Sequence, residues 1–338
     1  MRKADNLLRG ILNSVFKRRG LRPSTYMRVE ALRQLVREVD VFWVIDIMGL
    51  ATAVDTARGT KVKVIYEAVD LVAEYHQHGD AYREARLAEE RRYLSRVDGF
   101  ITACDSYADY YWERYGGAEL KRRPVVRDNM PAQILDHITP TRTPLRLLFL
   151  GSLMYDRPVG ELIRAMSLVS SDATLTFQGK NYLPEDPNEL VSELGLQNRV
   201  RIVPPCPPDD VVEVSAAYDV GIVPLRGLNE NERRASTSKL FTFMSAGLAI
   251  LGTDLPGIAR IVSQYDNGVL VDGMEPETWA AAIDGMAAMP ADVIDAMKQR
   301  SLDAAHNHSW EMQEAVFVGE FARVLGRATT AASSIPAD

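Results

Sequence analysis

Long apolar runs are missing from this 338-residue chain. The best, FMSAGLAILG (243–252), is about half of the roughly 18–20 residues that a membrane-spanning helix needs. The N-terminus does not read as a secretory leader, because Arg9 and the run Lys17-Arg18-Arg19 break any apolar core there. Cysteine is scarce. Cys104 and Cys206 form no CxxC pair and have no His/Cys ligand spacing, which excludes a disulfide framework. Both read as buried thiols in a reducing cytosol. GxGxxG and GxxxxGK[ST] are absent, which argues against a dehydrogenase and a P-loop NTPase. There is no DxD and no internal repeat. His76 and His78 (YHQH) stand two apart without further ligands, too few for a metal site, and no metal is expected.

What is present is an acidic body with a basic arm. The net charge is −7, yet residues 1–22 carry seven basic side chains against Asp5, a local +6 that leaves the rest at −13. That balance argues against nucleic acid as a partner and for a local anionic contact. In the arm, Leu7, Leu8, Ile11, Leu12, Val15 and Phe16 recur at helical spacing. Such a stripe suits a helix lying on an anionic membrane surface, and equally one docked on a partner subunit.

Beyond the arm, apolar runs alternate with helical patterns. A helix is predicted over TYMRVEALRQLVREV, then strands VDVFWVID, KVKVIYEAVD and DGFITACD, separated by a short helix from Gly49 and the charged helix DAYREARLAEERRYLSRV. After SYADYYWERYG and RPVVRDNMP, the segment 136–144 (DHITPTRTP) has two prolines and no periodicity, and reads as an interdomain linker. A second series supplies six strands: LRLLFLG, ATLTFQG, VRIVPP, DVGIVPL, LAILGTD and NGVLVD. Continuous apolar strands between helices mean parallel sheets covered on both faces. The expectation is α/β: an arm 1–22, a reduced N-terminal Rossmann-like domain 23–135, a doubly wound C-terminal domain 145–328 and a disordered tail 329–338.

In such sheets ligands gather beyond the carboxyl ends of strands. In the second domain those positions are Gly151-Ser152, Gly179-Lys180, Pro204-Pro205, Arg226 and the helix start STSKLF (236–241). Ser236, Thr237 or Ser238 can cap that helix. Its free N–H groups and dipole favour an anion. Lys239 and Arg157 add positive charge, which suggests a diphosphate.

The segments LRLLFLGSLMYDRPVGELIRAM, VRIVPPCPPDDVVEVSAAYDVGIVPL and STSKLFTFMSAGLAILGTDLPGIARIV resemble the C-terminal domain of GT-B glycosyltransferases, closest to the retaining family 4 (glycosyl transferases group 1). The resemblance covers about 145–325 and extends more weakly over 39–131. It implies two Rossmann-like domains facing a cleft, and a nucleotide-diphospho-sugar as co-substrate without a further cofactor. It implies Gly151, Ser152, Arg157, Ser238, Lys239 and Leu240 at the diphosphate, and Gly179, Lys180, Pro204 and Thr242 at the nucleoside. Asp70 and Glu67 are the candidates for the catalytic polar contact or base, with a plain strand-end hydrogen bond as the competing reading. Three departures stand out. The family's paired glutamates fall at Arg234 and Thr242, its first-loop arginine at Ser152, and the histidine before Asp70 at Val69. The first strands and Gly-rich loop of the family's N-terminal domain also have no counterpart.

Two functions follow as expectations. One is a metal-independent transferase, retaining as the resemblance implies, acting on a lipid-linked or polysaccharide acceptor. It would be cytoplasmic, and peripheral at the inner face of the membrane through residues 1–22. The other is an inactive accessory subunit that kept the fold.

Overall fold

The computed structural model describes residue 36 and residues 38–75 and 79–327. The arm 1–22, most of the helix expected over 25–39, His76, His78 and the tail 329–338 lie outside the described residues. The chain divides into two units. Of the described residues, the first holds those up to Ala103, Ala108–Val126 and those from Val316; the second holds Cys104–Tyr107 and Arg127–Ala315.

The first unit is built on four parallel strands in the order β1 (Val41–Ile45), β2 (Lys63–Ala68), β3 (Gly99–Thr102) and β4 (Val125–Val126). Val41 pairs with Lys63, Ile65 with Gly99 and Ile101 with Val125. Helices α1 (Ile47–Ala57), α2 (Gly79–Tyr93) and α3 (Asp105–Tyr115) make the crossovers. On one face Tyr66 and Phe100 lie 4.9 Å apart, and Tyr111 meets Phe100 edge-on at 4.8 Å. These rings bury a carboxylate: Glu90, 1% exposed, accepts from the hydroxyls of Tyr115 (2.6 Å) and Tyr111 (3.2 Å). Burial pushes the Glu90 carboxyl up to about 7, against the pull of the two hydroxyls.

The second unit has six parallel strands, β5 (Leu145–Leu150), β6 (Ala173–Gln178), β7 (Val200–Val203), β8 (Val220–Val223), β9 (Ala249–Thr253) and β10 (Gly268–Val271), in the order β10-β9-β8-β5-β6-β7. This is the doubly wound arrangement. The winding reverses between β5 and β8, so the two neighbouring connections leave a crevice at their carboxyl ends. The connecting helices are α4 (Val159–Leu168), α5 (Pro187–Glu193), α6 (Val211–Ser215), α7 (Glu230–Arg234), α8 (Ser238–Ser245), α9 (Pro256–Tyr265), α10 (Pro276–Ala287) and α11 (Ala291–Asn307). Side chains alternate across each strand. Leu147, Phe149, Leu175 and Phe177 point to one face with Leu162 and Ile163 of α4 and Trp279 and Ile283 of α10. Leu148, Leu150 and Ile250 point to the other, with Phe241, Phe243 and Met244 of α8.

Two expectations about boundaries change. The segment 136–144 is docked on the second unit rather than spanning between units. Thr141 donates its N–H and its hydroxyl to Asp295 Oδ1 at 2.8 and 2.6 Å, and Lys298 donates to the Thr139 carbonyl. The last helix, α12 (Trp310–Leu325), does not stay with the C-terminal domain, because from Val316 it belongs to the first unit. Its apolar stripe is the cause. Phe317, Phe321 and Val324 pack with Val41, Ile65 and Ile101, and Trp43 meets the Phe317 ring edge-on at 4.9 Å.

A buried ion cluster ties the second unit together. Asp219 and Lys298 are fully buried and 3.1 Å apart. Arg146 Nε and Nη2 bind the Asp219 carboxylate at 2.8 and 2.9 Å. Removing one partner strands the other charge. Asp219→Ala is expected to lower unfolding free energy by about 3–5 kcal/mol, read by urea denaturation, with Lys298→Met costing clearly less. Glu90 sets a pH dependence. Its folded value lies above the ordinary carboxyl value, so its protonated form favours folding. That contribution is whole below about pH 4.5 and is lost as pH rises through about 7. Glu90→Gln should therefore stabilise the protein at pH 8 by about 2–3 kcal/mol and change little at pH 4.5.

Candidate functional site

The crevice between the carboxyl ends of β5 and β8 is a cavity of about 180 Å³. Leu150, Gly151 and Ser152 line it from β5, Val223 and Pro224 from β8, and Arg157, Thr237 and Lys239 complete it. A second cavity of about 400 Å³ shares Leu150, Gly151, Ser152 and Lys239. It continues past Gly179, Lys180, Cys206 and Thr242.

The backbone makes this geometry by packing two loops without side chains. Gly151 has φ +125°, where an L side chain is strained, and a Cβ there would sit 3.2 Å from Lys239 Cε. A Cβ on Gly179 would fall 1.9 Å from the Gly151 carbonyl oxygen. The loops after β5 and β6 then continue the ladder: Gly151 N–H donates to Gln178 O at 3.0 Å, and Leu153 N–H to Lys180 O at 2.9 Å.

Helix α8 starts at this crevice. Thr237 is its N-cap residue, and its side chain makes no cap hydrogen bond. Its Oγ1 is buried and unpartnered. The helix has no acidic residue in its first turn, so its dipole is not offset there. The Ser238 and Lys239 N–H groups belong to that turn, where no helical carbonyl precedes them. Lys239 makes no ion pair among the described residues. Burial, and then the positive charge of Arg157, hold its ammonium below the usual lysine range. Two cations and the start of a helix thus face a partly dry cavity, an arrangement that favours a polyanion.

Arg157 is positioned by Arg226, one of the strand-end positions read from the sequence, and by Glu161, which was not singled out there. The Arg157 N–H donates to Met154 O at 3.0 Å, turning the loop. Arg226, after β8, donates from Nε to the Asp156 carbonyl at 3.2 Å and from Nη2 to Glu161 at 2.7 Å. Arg226 therefore anchors the loop carrying Arg157 to α4. Its position after β8 was the available signal.

The expected contacts do not all fall at these cavities. Gly151, Ser152, Arg157, Ser238, Lys239, Gly179, Lys180 and Thr242 line one or both. Leu240 does not: its side chain is fully buried in the core under α8, and its N–H already donates to Thr237 O at 3.0 Å. Pro204 is exposed and outside the lining, and the next two residues, Pro205 and Cys206, take that place. Cys206 is accordingly half-buried rather than buried; Cys104 is buried. The two positions of the missing glutamates part company. Arg234 Nε binds Glu230 at 3.0 Å and its Nη1 donates to the Ser106 carbonyl at 3.3 Å. Thr242 lines the larger cavity and spends its hydroxyl proton on the Ser238 carbonyl at 2.9 Å, leaving its lone pairs for a ligand.

Asp70 and Glu67 belong to the first unit. Glu67, 1% exposed, lies in β2 and accepts from Trp43 Nε1 at 2.8 Å. Asp70 follows β2 and accepts from the Tyr75 hydroxyl at 3.0 Å. Beside them stands Asp46, at the end of β1. It adopts φ 60°, ψ 160°, a region almost confined to glycine. Its Oδ1 is buried without a partner, and burial and then the Asp70 charge raise its carboxyl above the usual range. The sequence signal was an aspartate closing a strand, the same signal that singled out Asp70. Among the described residues no His/Cys/Asp/Glu group is placed to hold a metal ion, and no helix is long and apolar enough to cross a membrane.

Two parallel-sheet Rossmann-like units, one with a cationic crevice at its switch point, define the GT-B class of fold. Among solved structures the chain is similar to a sucrose-phosphate synthase from Thermosynechococcus elongatus (TM-score 0.67, 16% identity, 88% of this chain and 77% of that one). It is similarly close to Anabaena HepE in complex with UDP (TM-score 0.68, 14% identity, 87% and 81%). Residues 144–288, all within the second unit, match the family described as glycosyl transferases group 1. Curated relatives include the D-inositol 3-phosphate glycosyltransferases of Rhodococcus jostii (30% identical over 254 residues) and Rhodococcus opacus (27% over 259). Each match takes in 67% of this chain and 53% of the relative, so the chain spans about half the length of these relatives.

The Gly179 packing yields a direct test. Gly179→Ala is expected to force the β5 and β6 loops apart and lower the thermal midpoint by several degrees. By contrast Gly195→Ala, at a turn where a Cβ meets nothing within 4 Å, should cost only its backbone strain. Equal losses in a thermal melt would remove the close-packing argument.

Proposed function

We propose that the protein transfers a sugar from a nucleoside-diphosphate sugar to a glycan or glycolipid acceptor. The observation that carries this reading is the half-buried Lys239 beside Arg157 at the start of α8, in the crevice where β5 and β8 diverge. Glycosyl transfer needs stabilisation of the departing diphosphate as the bond to the anomeric carbon breaks. Lys239, Arg157 and the first-turn N–H groups of α8 supply it as preorganised charge, so the reaction runs without a metal. The nucleoside then lies in the larger cavity against Gly179, Lys180 and Thr242. Retention of anomeric configuration follows the family resemblance. Asp70 is the carboxylate assigned to the acceptor side, and Glu67, held by Trp43, positions β2 beneath it. The names of the curated relatives make an inositol phosphate a further acceptor worth testing, and the basic arm 1–22 supports a membrane-linked one.

The absence of a carboxylate at Arg234 and Thr242 favours a second reading, an accessory subunit without turnover. Calorimetric titration with UDP, GDP, CDP and ADP separates binding from no binding. Wild type is expected to bind at least one, and Lys239→Ala or Arg157→Ala to weaken it about tenfold or more. No binding by wild type would remove the donor site. Binding without hydrolysis or transfer of the matching sugar nucleotide, with any acceptor, would select the accessory reading. Turnover that survives EDTA supports the metal-free step.

A further inference from the structure

The larger cavity contains a buried polar group that no part of the fold uses. Gln178, the last residue of β6, is 7% exposed and lines this cavity. Its Oε1 is shut off from solvent and has no hydrogen-bond partner. The register places it between Leu150 of β5 and Val203 of β7. It therefore shares the face of Leu150, toward Val211 and Thr242, which line the same cavity. Buried amides are nearly always paired, and an unpaired one destabilises the native state. An apolar side chain of similar size would pack here without that penalty. A half turn of the terminal amide exchanges its donor and acceptor ends, so it can serve either kind of ligand group.

We infer that Gln178 is a nucleoside-recognition residue of the donor site, taking part of the hydrogen bonding that a carboxylate at position 242 would otherwise supply. This rests on the donor-binding reading above. Its amide satisfies a ribose hydroxyl or a base N–H as the nucleoside enters, while Arg157 and Lys239 hold the diphosphate. Gln178 and Thr242 add no negative charge at that end of the site, where Lys180 also lines the cavity. A nucleoside is then read by hydrogen bonds alone, with no added negative charge near the diphosphate.

The test titrates the full chain with UDP, CDP, GDP and ADP, with the 2′- and 3′-deoxy forms of the best binder, and with inorganic pyrophosphate. Wild type is compared with Gln178→Leu and, as a more adaptable replacement, Gln178→Met. Both variants are expected to bind the best nucleoside diphosphate about tenfold more weakly and pyrophosphate unchanged. The unliganded Leu variant should melt about 2 °C or more above wild type. If the partner is a ribose hydroxyl, one deoxy analogue loses affinity with wild type and not with the variants. If it is a base N–H, the variants stop discriminating among bases and keep the deoxy penalty. Unchanged nucleoside diphosphate affinity in both variants overturns the inference. So does a parallel loss of pyrophosphate, which would mean that Gln178 only shapes the cavity. Wild type that binds neither nucleoside diphosphates nor pyrophosphate instead brings down the donor reading itself.

Discussion

A half-buried lysine ammonium beside a guanidinium, itself in no ion pair among the described residues, is the constraint around which the second unit is arranged. Lys239 is kept there because α8 must begin at the switch point, and α8 begins there because its apolar face, Leu240 to Met244, is committed to the sheet. Arg157 cannot retreat, since Arg226 and Glu161 fix its loop to α4. An anion in the crevice would relieve the repulsion between the two cations. That is why the crevice reads as a site rather than as a packing defect.

The same unit tolerates this tension because its charges elsewhere are compensated. Asp219 gathers Arg146 and Lys298 at the opposite, amino-terminal side of β5 and β8, and Lys298 in turn holds the Thr139 carbonyl. The segment that looked like a free linker is thus part of a closed electrostatic cluster. Glu90 and Glu74 play a comparable part in the first unit, each enclosed by tyrosine hydroxyls, with arginines completing the Glu74 shell. The buried oxygens left without a partner among the described residues include those of Gln178, Thr237 and Asp46.

Much of this was legible from the residues. All six strands of the second unit were read where they occur, because continuous apolar runs between helical patterns have few other solutions. The start of a helix at the carboxyl ends of the strands was readable from STSKLF, and a cation near it from Arg157 in the loop after β5. Gln178 was passed over within ATLTFQG, since a glutamine at a strand end gives no hint that its amide is enclosed. Leu240 was grouped with Lys239 because sequence adjacency hides direction: the next residue on a helix turns a different face, and here that face is the core. The tyrosines of SYADYYWERYG read as a helix, with no sign that they would enclose Glu90.

What the sequence by itself determined was the alternation of elements, the parallel sheets and the residue types available at strand ends. These follow from local periodicity and from groups that act through the backbone nearest them. Tertiary structure alone decided three further things: that α12 returns to the first sheet, that residues 136–144 dock on α11, and which polar atoms are left without partners. Each depends on contacts between residues far apart in the chain. Burial and hydrogen-bond satisfaction are properties of those contacts, and no local pattern encodes them.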